Sequence, residues 1–375
     1  MTQACPLALF GEKEKFRGTH KLKRDGDTFM SKAASWLRGA LALAVCGAAG
    51  VAHAQSNVSL YGQVDAWVGA AKAPGGERAW TQGGGGMSTS YWGMKGSEDL
   101  GDGLKAIFTL EDFFLPQSGR YGRFTGDSFF SRNAYVGLQS NALGTVTMGR
   151  LTTSYFVSTI LFNPFVDSYT FSPMVYHTFL GLAGQGIVGD SGWNNAVMYA
   201  TPDYKGLGAS LSYAFGNKAG EMGQNKWSAA AMYFHGPLAA TLAYQQVKFD
   251  STPDDQAGIT GFRNQQALQA GLTYDFQVVK LYGQYQYIKN TITGGNLTSN
   301  GGQLGVSVPL GGGSVMASFA YTKNSGMNDT SRNTWALGYD YNLSKRTDLY
   351  VAYLNDKVSG LEAGNTFGVG MRTKF

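Results

Sequence analysis

Apolar and polar residues alternate with a period of two along most of the chain from residue 57 to the C-terminus. In residues 58–68 the even positions are apolar or small, whereas the odd positions are mostly polar or aromatic. The end of the chain repeats the pattern, with Phe367, Val369 and Met371 separated by Gly368 and Gly370. A period of two places successive side chains on opposite faces of a β-strand. We predict about 16 such strands and therefore an all-β protein.

The links between these strands alternate between short and long. Short turns are predicted at 99–103, 141–144, 235–237, 311–313 and 344–346. Long polar links are predicted near 70–87, 114–129, 216–225, 250–261 and 290–298. This alternation is typical of an antiparallel up-and-down meander with tight turns at one end and loops at the other, as in transmembrane barrels.

Sixteen strands favour a closed barrel over an open sheet. An open sheet leaves two unpaired edges, and open sheets rarely exceed about ten strands. In lipid an unpaired edge is worse, because each bare backbone group costs several kcal/mol. A lipid-facing wall also accounts for a chain with 53 Gly, 13% aromatic residues and only 15% charged residues. The alternatives are a soluble Gly-rich adhesin or a double sandwich.

One apolar run near the N-terminus breaks the alternating pattern. The 13 residues 39–51 follow Lys32 and Arg38 and precede the A-x-A sequence that ends at Ala54. This arrangement predicts a signal peptide at 30–54, cleaved between Ala54 and Gln55. A buried core helix is the alternative interpretation. Residues 1–29 are then a mis-assigned start or a disordered extension, unless the leader is unusually long.

Removal of residues 1–54 changes the charge balance. These residues carry eight basic and four acidic side chains, so the remaining 321 residues hold 22 basic and 21 acidic ones. The net charge falls from +5 to +1, and both cysteines are lost. A surface with no basic surplus cannot neutralise phosphates, which argues against a nucleic-acid partner.

Residues 151–192 form one link without strand alternation. Such long links in a compact protein are usually functional. The link is rich in apolar side chains, and we expect it to fold inward and narrow the barrel interior. A surface loop packed on a neighbouring subunit is the alternative. The apolar residues of the link are Phe162, Phe165, Phe171, Met174, Val175, Phe179 and Leu180.

The sequence predicts neither an enzyme nor a metal or cofactor site. Downstream of residue 54 the chain has two histidines, His177 and His235, and no cysteine. Residues 101–106 match G-x-G-x-x-A, but a strand follows instead of a helix. An outer-membrane lipase is the catalytic alternative, and it lacks a recognisable Ser-His pair.

Several motifs, in order along the chain, resemble those of the Gram-negative general porins. They are LYGQVDA at 60–66, WGMKGSEDLG at 92–101, GLKAIFTLE at 103–111, RNAYVGL at 132–138, GTVTMGR at 144–150, LSKRTDLY at 343–350 and FGVGMRTKF at 367–375. The resemblance implies an antiparallel, 16-stranded transmembrane β-barrel in the outer membrane of a Gram-negative bacterium. Its long third loop is expected to fold into the lumen.

The family resemblance also implies partners. It implies a homotrimer surrounded by outer-membrane lipids and lipopolysaccharide, with small hydrophilic solutes passing through a water-filled channel. It implies that the terminal Phe375 belongs to a signal read by the barrel-assembly machinery. A receptor or adhesin barrel that binds partners through its surface loops is the alternative function.

The resemblance implies that four charged residues lie at a pore constriction, because they match charged positions of the family. Arg132 matches a wall arginine of the family and Glu111 a wall acid, whereas Asp167 takes the place of the acid on the loop. Asp65 matches the acid of the first strand. A basic wall that faces acidic groups creates a field across the channel and sets its ion preference.

Two departures from the family pattern affect the expected selectivity. Tyr91 stands where the family usually has an arginine, and Met198 takes the place of another. We therefore hypothesise a weakly selective or unusually narrow channel. Its eyelet would be lined by aromatic or apolar groups, including Tyr91, Met198 and the Phe residues of the loop, and it could favour less polar solutes.

Overall fold

The structure, a computed structural model, describes residues 57–181, 185–217, 219–220, 225–248, 261–326 and 329–375. The predicted signal peptide, its cleavage site at Ala54–Gln55 and residues 1–29 lie outside this part of the chain.

Eighteen strands and two short helices occur among the described residues. The strands are β1 Asn57–Lys72, β2 Ala79–Gly84, β3 Tyr91–Gly101, β4 Leu104–Leu115, β5 Arg120–Tyr121, β6 Asn133–Ser140, β7 Gly144–Thr152, β8 Gly192–Ala200, β9 Leu207–Phe215, β10 Asn225–His235, β11 Leu238–Val247, β12 Phe262–Asp275, β13 Lys280–Ile292, β14 Gly295–Leu310, β15 Gly313–Ser325, β16 Thr330–Asn342, β17 Thr347–Val358 and β18 Gly364–Lys374. The helices are α1 Ser154–Leu161 and α2 Pro173–Phe179.

The strands close into a barrel of 16 wall strands. Successive strands pair antiparallel, and β1 pairs with β18 from Gln63↔Lys374 to Lys72↔Asn365. β2 and β3 together form the second wall strand, because β2 pairs with the C-terminal half of β1 and β3 with its N-terminal half. The two-residue β5 adds only a short pairing to β4. The predicted antiparallel 16-stranded barrel is therefore confirmed.

The two faces of the wall differ as the alternation predicts. Outward positions carry exposed apolar side chains such as Leu60 and Leu304, which expose 64% and 73% of their surface. Inward positions carry buried polar ones, such as Gln265 and Gln269. An apolar outer band around a polar interior is the pattern of a transmembrane barrel.

Among the described residues, none of the helices combines the length and the apolar character needed to cross a membrane.

The predicted long link at 290–298 is wrong. β13 runs to Ile292 and β14 begins at Gly295, so only Thr293 and Gly294 connect them. Gly294 has a positive φ of 94°, a conformation that glycine adopts without steric cost. Polar side chains that suggested a loop, such as Asn290, point into the barrel interior instead.

The long loop, residues 153–191, contains both helices. Thr153 caps α1 by accepting a hydrogen bond from the backbone N–H of Phe156. Ser172 caps α2 in the same way through Val175, and Pro173 occupies the first turn of that helix. Side-chain oxygens at these positions satisfy N–H groups that a helix start leaves free. The caps therefore favour helix formation at these two points of the link between β7 and β8.

The long loop crosses the interior of the barrel. Its side chains contact inward-facing residues on several wall strands, from β1 to β16. The contacts are Phe171 with Trp67, Ser154 with Ser210, Ser158 with Thr241, Thr159 with Gln269, Thr178 with Gln286, and His177 with Thr322 and Thr334. Two apolar clusters lie between loop and wall, one around Phe165 and Phe171 and one around Tyr155 and Ile187.

Glycines in the wall leave room for the largest loop residues. A Cβ added at Gly305 would lie 2.7 Å from Cδ of Pro164, and one at Gly271 would lie 2.9 Å from Cγ of Phe162. Gly338 and Gly368 are similarly close to Phe165 and Phe171. The loop is thus seated directly against the wall backbone.

We predict that Gly305→Ala displaces the loop, because the added methyl collides with the rigid ring of Pro164. Overpacking of this kind costs about 1–3 kcal/mol. The unfolding midpoint should fall and proteolysis within residues 153–191 should accelerate. Gly283→Ala on the neighbouring strand is the control, since its nearest neighbour is Leu304 Cδ2 at 3.9 Å. An equal unfolding midpoint and an equal rate of proteolysis for the two variants would contradict the prediction.

Candidate functional site

The tip of the long loop is a tight turn organised by Asn163. The Asn163 side chain accepts a hydrogen bond from the N–H of Phe165 (3.0 Å) and donates one to the carbonyl of Val166 (2.9 Å). It also accepts from the hydroxyl of Ser172 at 3.0 Å. With Asn163 and Phe165 both buried, this network fixes the backbone that presents Asp167.

Asp167 reaches the wall where the second wall strand is interrupted. Its carboxylate accepts a hydrogen bond from the Ser88 hydroxyl at 2.7 Å. Ser88 belongs to the segment 85–90, which separates β2 from β3. The loop is tied to the same segment by Ser168, whose hydroxyl donates to the carbonyl of Gly86 at 2.5 Å. The carboxylate of Asp167 is therefore held at a defined position.

Asp65 lies beneath this contact and is not accessible to solvent. Its carboxylate accepts hydrogen bonds from the backbone N–H groups of Gly86, Met87 and Ser88, each at 2.9 Å. It also accepts one from the hydroxyl of Tyr350 at 2.5 Å. The sequence assigns Asp65 to the constriction, whereas the structure places it as the support of the segment that holds Asp167.

Arg132 and Glu111 form an ion pair on the wall, with Nη1 and Oε2 2.5 Å apart. Glu111 is buried and also accepts a hydrogen bond from the Tyr61 hydroxyl at 2.6 Å. The Arg132 side chain keeps 30% of its surface exposed, and its guanidinium carbon lies 4.2 Å from the ring centroid of Tyr91. Tyr91 thus forms a cation–π contact with the arginine that the sequence analysis places at the same site.

Met198 lies in a separate apolar cluster. It sits on β8 opposite Thr147 and Ser212. It packs against buried residues that include Leu151 and Trp193, with Tyr135 as a further neighbour.

The expected lining by the loop's Phe residues is wrong for Phe162, Phe165 and Phe171. All three are fully buried, because they fill the spaces over the wall glycines.

Sequence reasoning missed an ionic cluster that fastens the end of the long loop. Asp190 pairs with Arg123 (Nη1–Oδ1, 2.5 Å) and with Arg150, and Arg123 also pairs with Asp127 at 2.8 Å. Nη1 of Arg150 donates to the Asn194 side chain at 2.6 Å. Because partners such as Arg123 and Asp190 are 67 positions apart, no local spacing signals the cluster.

Another buried arginine, Arg332, fastens the middle of the loop. Nη1 of Arg332 donates to the carbonyls of Tyr176 (3.0 Å) and Leu180 (2.9 Å), at the end of α2. A positive charge is favourable there, because the free carbonyls of a helix end carry partial negative charge. Nη2 of Arg332 also pairs with Asp356 at 2.6 Å.

His177 does not act as a charged group in this arrangement. Its ring nitrogens are hydrogen-bonded to Thr322 (2.7 Å) and Thr334 (2.8 Å). Burial, together with the nearby charge of Arg332, lowers the pKa of His177 well below its usual value. Among the described residues, no group of three or more His, Cys, Asp or Glu side chains could hold a metal ion.

The ionic cluster gives the loop a specific acid sensitivity. Burial opposes ionisation of Asp190, but Arg123 and Arg150 outweigh it and lower the pKa to about 2. The ordinary aspartate pKa in an unfolded chain is about 3.9. The depressed value therefore stabilises the fold above about pH 4, and this contribution is lost as the pH falls through about 2.

We predict that Asp190→Asn lowers the free energy of unfolding by about 3–5 kcal/mol at neutral pH, because it leaves buried arginine charge uncompensated. The variant should also lose the stability change between about pH 4 and 2 that the parent chain shows. Unfolding followed by circular dichroism at several pH values tests both points. Glu362→Gln, which removes an exposed ion pair with Lys72, is the control and should have little effect. A parental pH profile for Asp190→Asn would contradict the prediction.

Comparison with known proteins identifies the family. A sequence model of the family described as Gram-negative porin matches residues 40–361. Outer membrane porin protein 32 of Delftia acidovorans is 35% identical over 352 residues, covering 88% of this chain and 94% of the relative. An outer membrane porin protein of Bordetella pertussis is 30% identical over 396 residues, covering 88% and 97%.

Solved structures agree with the sequence relatives. A structure described as the anion-selective porin from Comamonas acidovorans has a TM-score of 0.72 at 30% identity, covering 85% of this chain and 100% of that one. A trimer form of OmpT from Vibrio cholerae has a TM-score of 0.65 at 14% identity and shows the fold alone. With its closed barrel, lipid-type outer face and family matches over most of its length, the chain belongs to the Gram-negative porin family and is an outer membrane porin.

Proposed function

We propose that the barrel encloses a water-filled channel for passive diffusion of ions and small hydrophilic solutes, without catalysis. The observation that carries this proposal is the arrangement of Asp167 on the long loop and the Arg132–Glu111 pair on the wall. Asp167 and Arg132 are close enough for their charges to interact. The loop would therefore narrow the channel at the level of this ion pair.

Charges of both signs lie around the proposed constriction, which supports weak ion selectivity. Arg372, whose charge also acts on Asp167, is paired with Asp340 and Asp348. Arg132 is compensated by Glu111, and Lys95 lies above the Tyr61 ring at 5.1 Å, on the same stretch of wall. Asp167 supplies a further negative charge. The sign of a charged ring sets the ion preference of a pore, so a ring of mixed sign should give little preference. The anion selectivity named for the Comamonas structure belongs to that protein and is the competing expectation.

We predict opposite shifts of the reversal potential for the two halves of the ion pair. Glu111→Gln leaves Arg132 uncompensated and should make the channel several-fold more permeable to anions, whereas Arg132→Gln should favour cations. Planar bilayers under a salt gradient provide the measurement. Asp102→Asn, which changes a charge in an exposed turn, is the control and should leave the reversal potential unchanged. Strong anion selectivity of the parent channel, or no shift in either variant, would contradict the proposal.

Measuring the reversal potential at lower pH tests whether the charge of Asp167 contributes to ion selectivity. Burial raises the pKa of its carboxyl above the usual range, although the Ser88 hydrogen bond opposes this. Acidification should therefore neutralise Asp167 before an exposed carboxylate. The reversal potential should move toward anion preference as this negative charge is lost. The Asp167→Asn variant should show a smaller shift, and an equal shift in that variant would contradict the assignment to Asp167.

We also propose the assembly and processing that the family resemblance implies. The mature chain would begin at Gln55, after removal of a signal peptide at 30–54, and three copies would form the working porin. Phe375 would take part in recognition by the barrel-assembly machinery. The barrel closes through β1, which begins at Asn57, and β18, so the closed wall needs no residue of the proposed leader; this supports the division of the chain.

Native mass spectrometry of protein extracted from outer membranes tests both points in one measurement. We expect a complex with three times the mass of residues 55–375, and a chain mass that corresponds to a start at Gln55. A monomeric species, or a chain that retains residues 30–54, would contradict the respective proposal.

A further inference from the structure

The tip of the long loop exposes an apolar residue to the channel. Along the described stretch 153–181, Val166 and Leu180 alone are exposed. Val166 keeps 38% of its surface accessible, although Phe165 before it and Ser168 shortly after it are fully buried. Because the loop is seated against the inner wall, the open space beside its tip is the channel itself. The valine side chain therefore borders the path of a solute.

The backbone of Val166 has an unfavourable conformation for its side chain. Its φ is +46°, in the left-handed region. Residues with a branched Cβ rarely adopt this region, because the side chain crowds the backbone, whereas glycine adopts it freely. Strain of this kind persists only where surrounding contacts enforce it, and it clusters at functional sites.

The contacts that enforce the strain are on both sides of Val166. Asn163 accepts from the N–H of Phe165 and donates to the carbonyl of Val166, which closes the turn. On the other side, Asp167 is held by Ser88 and Ser168 by Gly86. The turn is therefore fixed at two points, and the valine between them cannot withdraw from the channel by a local backbone change.

We infer that Val166 is the residue that sets the width of the constriction and with it the size limit for solutes. This inference rests on the proposed channel and its constriction at Asp167. The charged residues around it govern the sign of the permeating ion, whereas Val166 contributes volume without charge. Its rigid turn gives a fixed aperture, so the size limit should be sharp and depend on the volume of this one side chain.

The test is a volume series at one position. Val166→Gly and Val166→Ala should increase the single-channel conductance in planar bilayers, with glycine above alanine, and Val166→Leu should decrease it. Liposome swelling with neutral sugars of increasing size should show a larger cut-off for Val166→Gly. Reversal potentials should stay at the parental value, because no charge changes. Leu180→Ala is the matched control, at the other exposed apolar position of the described stretch 153–181. It should conduct like the parent, because Leu180 lies at the end of α2 beside Arg332 and not at the tip that carries Asp167.

Stability separates a change of aperture from damage to the loop. Glycine suits a positive φ, so Val166→Gly should unfold no more easily than the parent, and Val166→Ala serves if the glycine variant does not assemble. Parental conductance in both smaller variants would overturn the inference. If the Glu111 and Arg132 variants still shift the reversal potential in that case, the proposed constriction stands and only the part assigned to Val166 fails.

Discussion

The closed wall of this protein, and the packing inside it, depend on the backbone pairing between the first and last wall strands. β1 and β18 pair over ten residues, and this pairing turns a long meander into a closed wall. In a bilayer, a strand edge without partners leaves N–H and C=O groups that lipid cannot satisfy. Closure removes both edges at once. It also creates the enclosed interior in which a long segment of chain can pack.

Inside the wall, two kinds of interaction hold the long loop. Bulky loop residues such as Phe165 and Phe171 occupy the spaces left by wall glycines and take no part in lining the channel. Buried ion pairs then fix separate points, Asp190 with Arg150 at the end of the loop and Arg332 with Asp356 beside α2. Such pairs are costly to break, because either partner alone would be a buried charge. The described parts of the loop are thus held against the inner wall at several separate points.

The strands were predictable from the sequence because their signal is local: a period of two survives in any stretch of ten residues. Motifs shared with the porin family indicated Arg132, Glu111 and Asp167. The role of these residues in the channel stays a prediction. The support role of Asp65 was not predictable, because it depends on Tyr350, 285 positions away. The same holds for Asp190, whose partners come from a link and a different strand. Such contacts form because the barrel closes, and the spacing of residues along the sequence does not indicate them.

The hydrogen bond between Asp65 and Tyr350 has a consequence for the order of folding. It joins the first wall strand to the fifteenth, so it can form only when nearly the whole chain has been inserted. Contacts between residues far apart in sequence carry a large loop-closure cost and form late. The segment that holds Asp167 is thus completed together with the seam of the barrel. An intermediate that lacks its last strands would be open at the side and would also lack the support of its narrowest point.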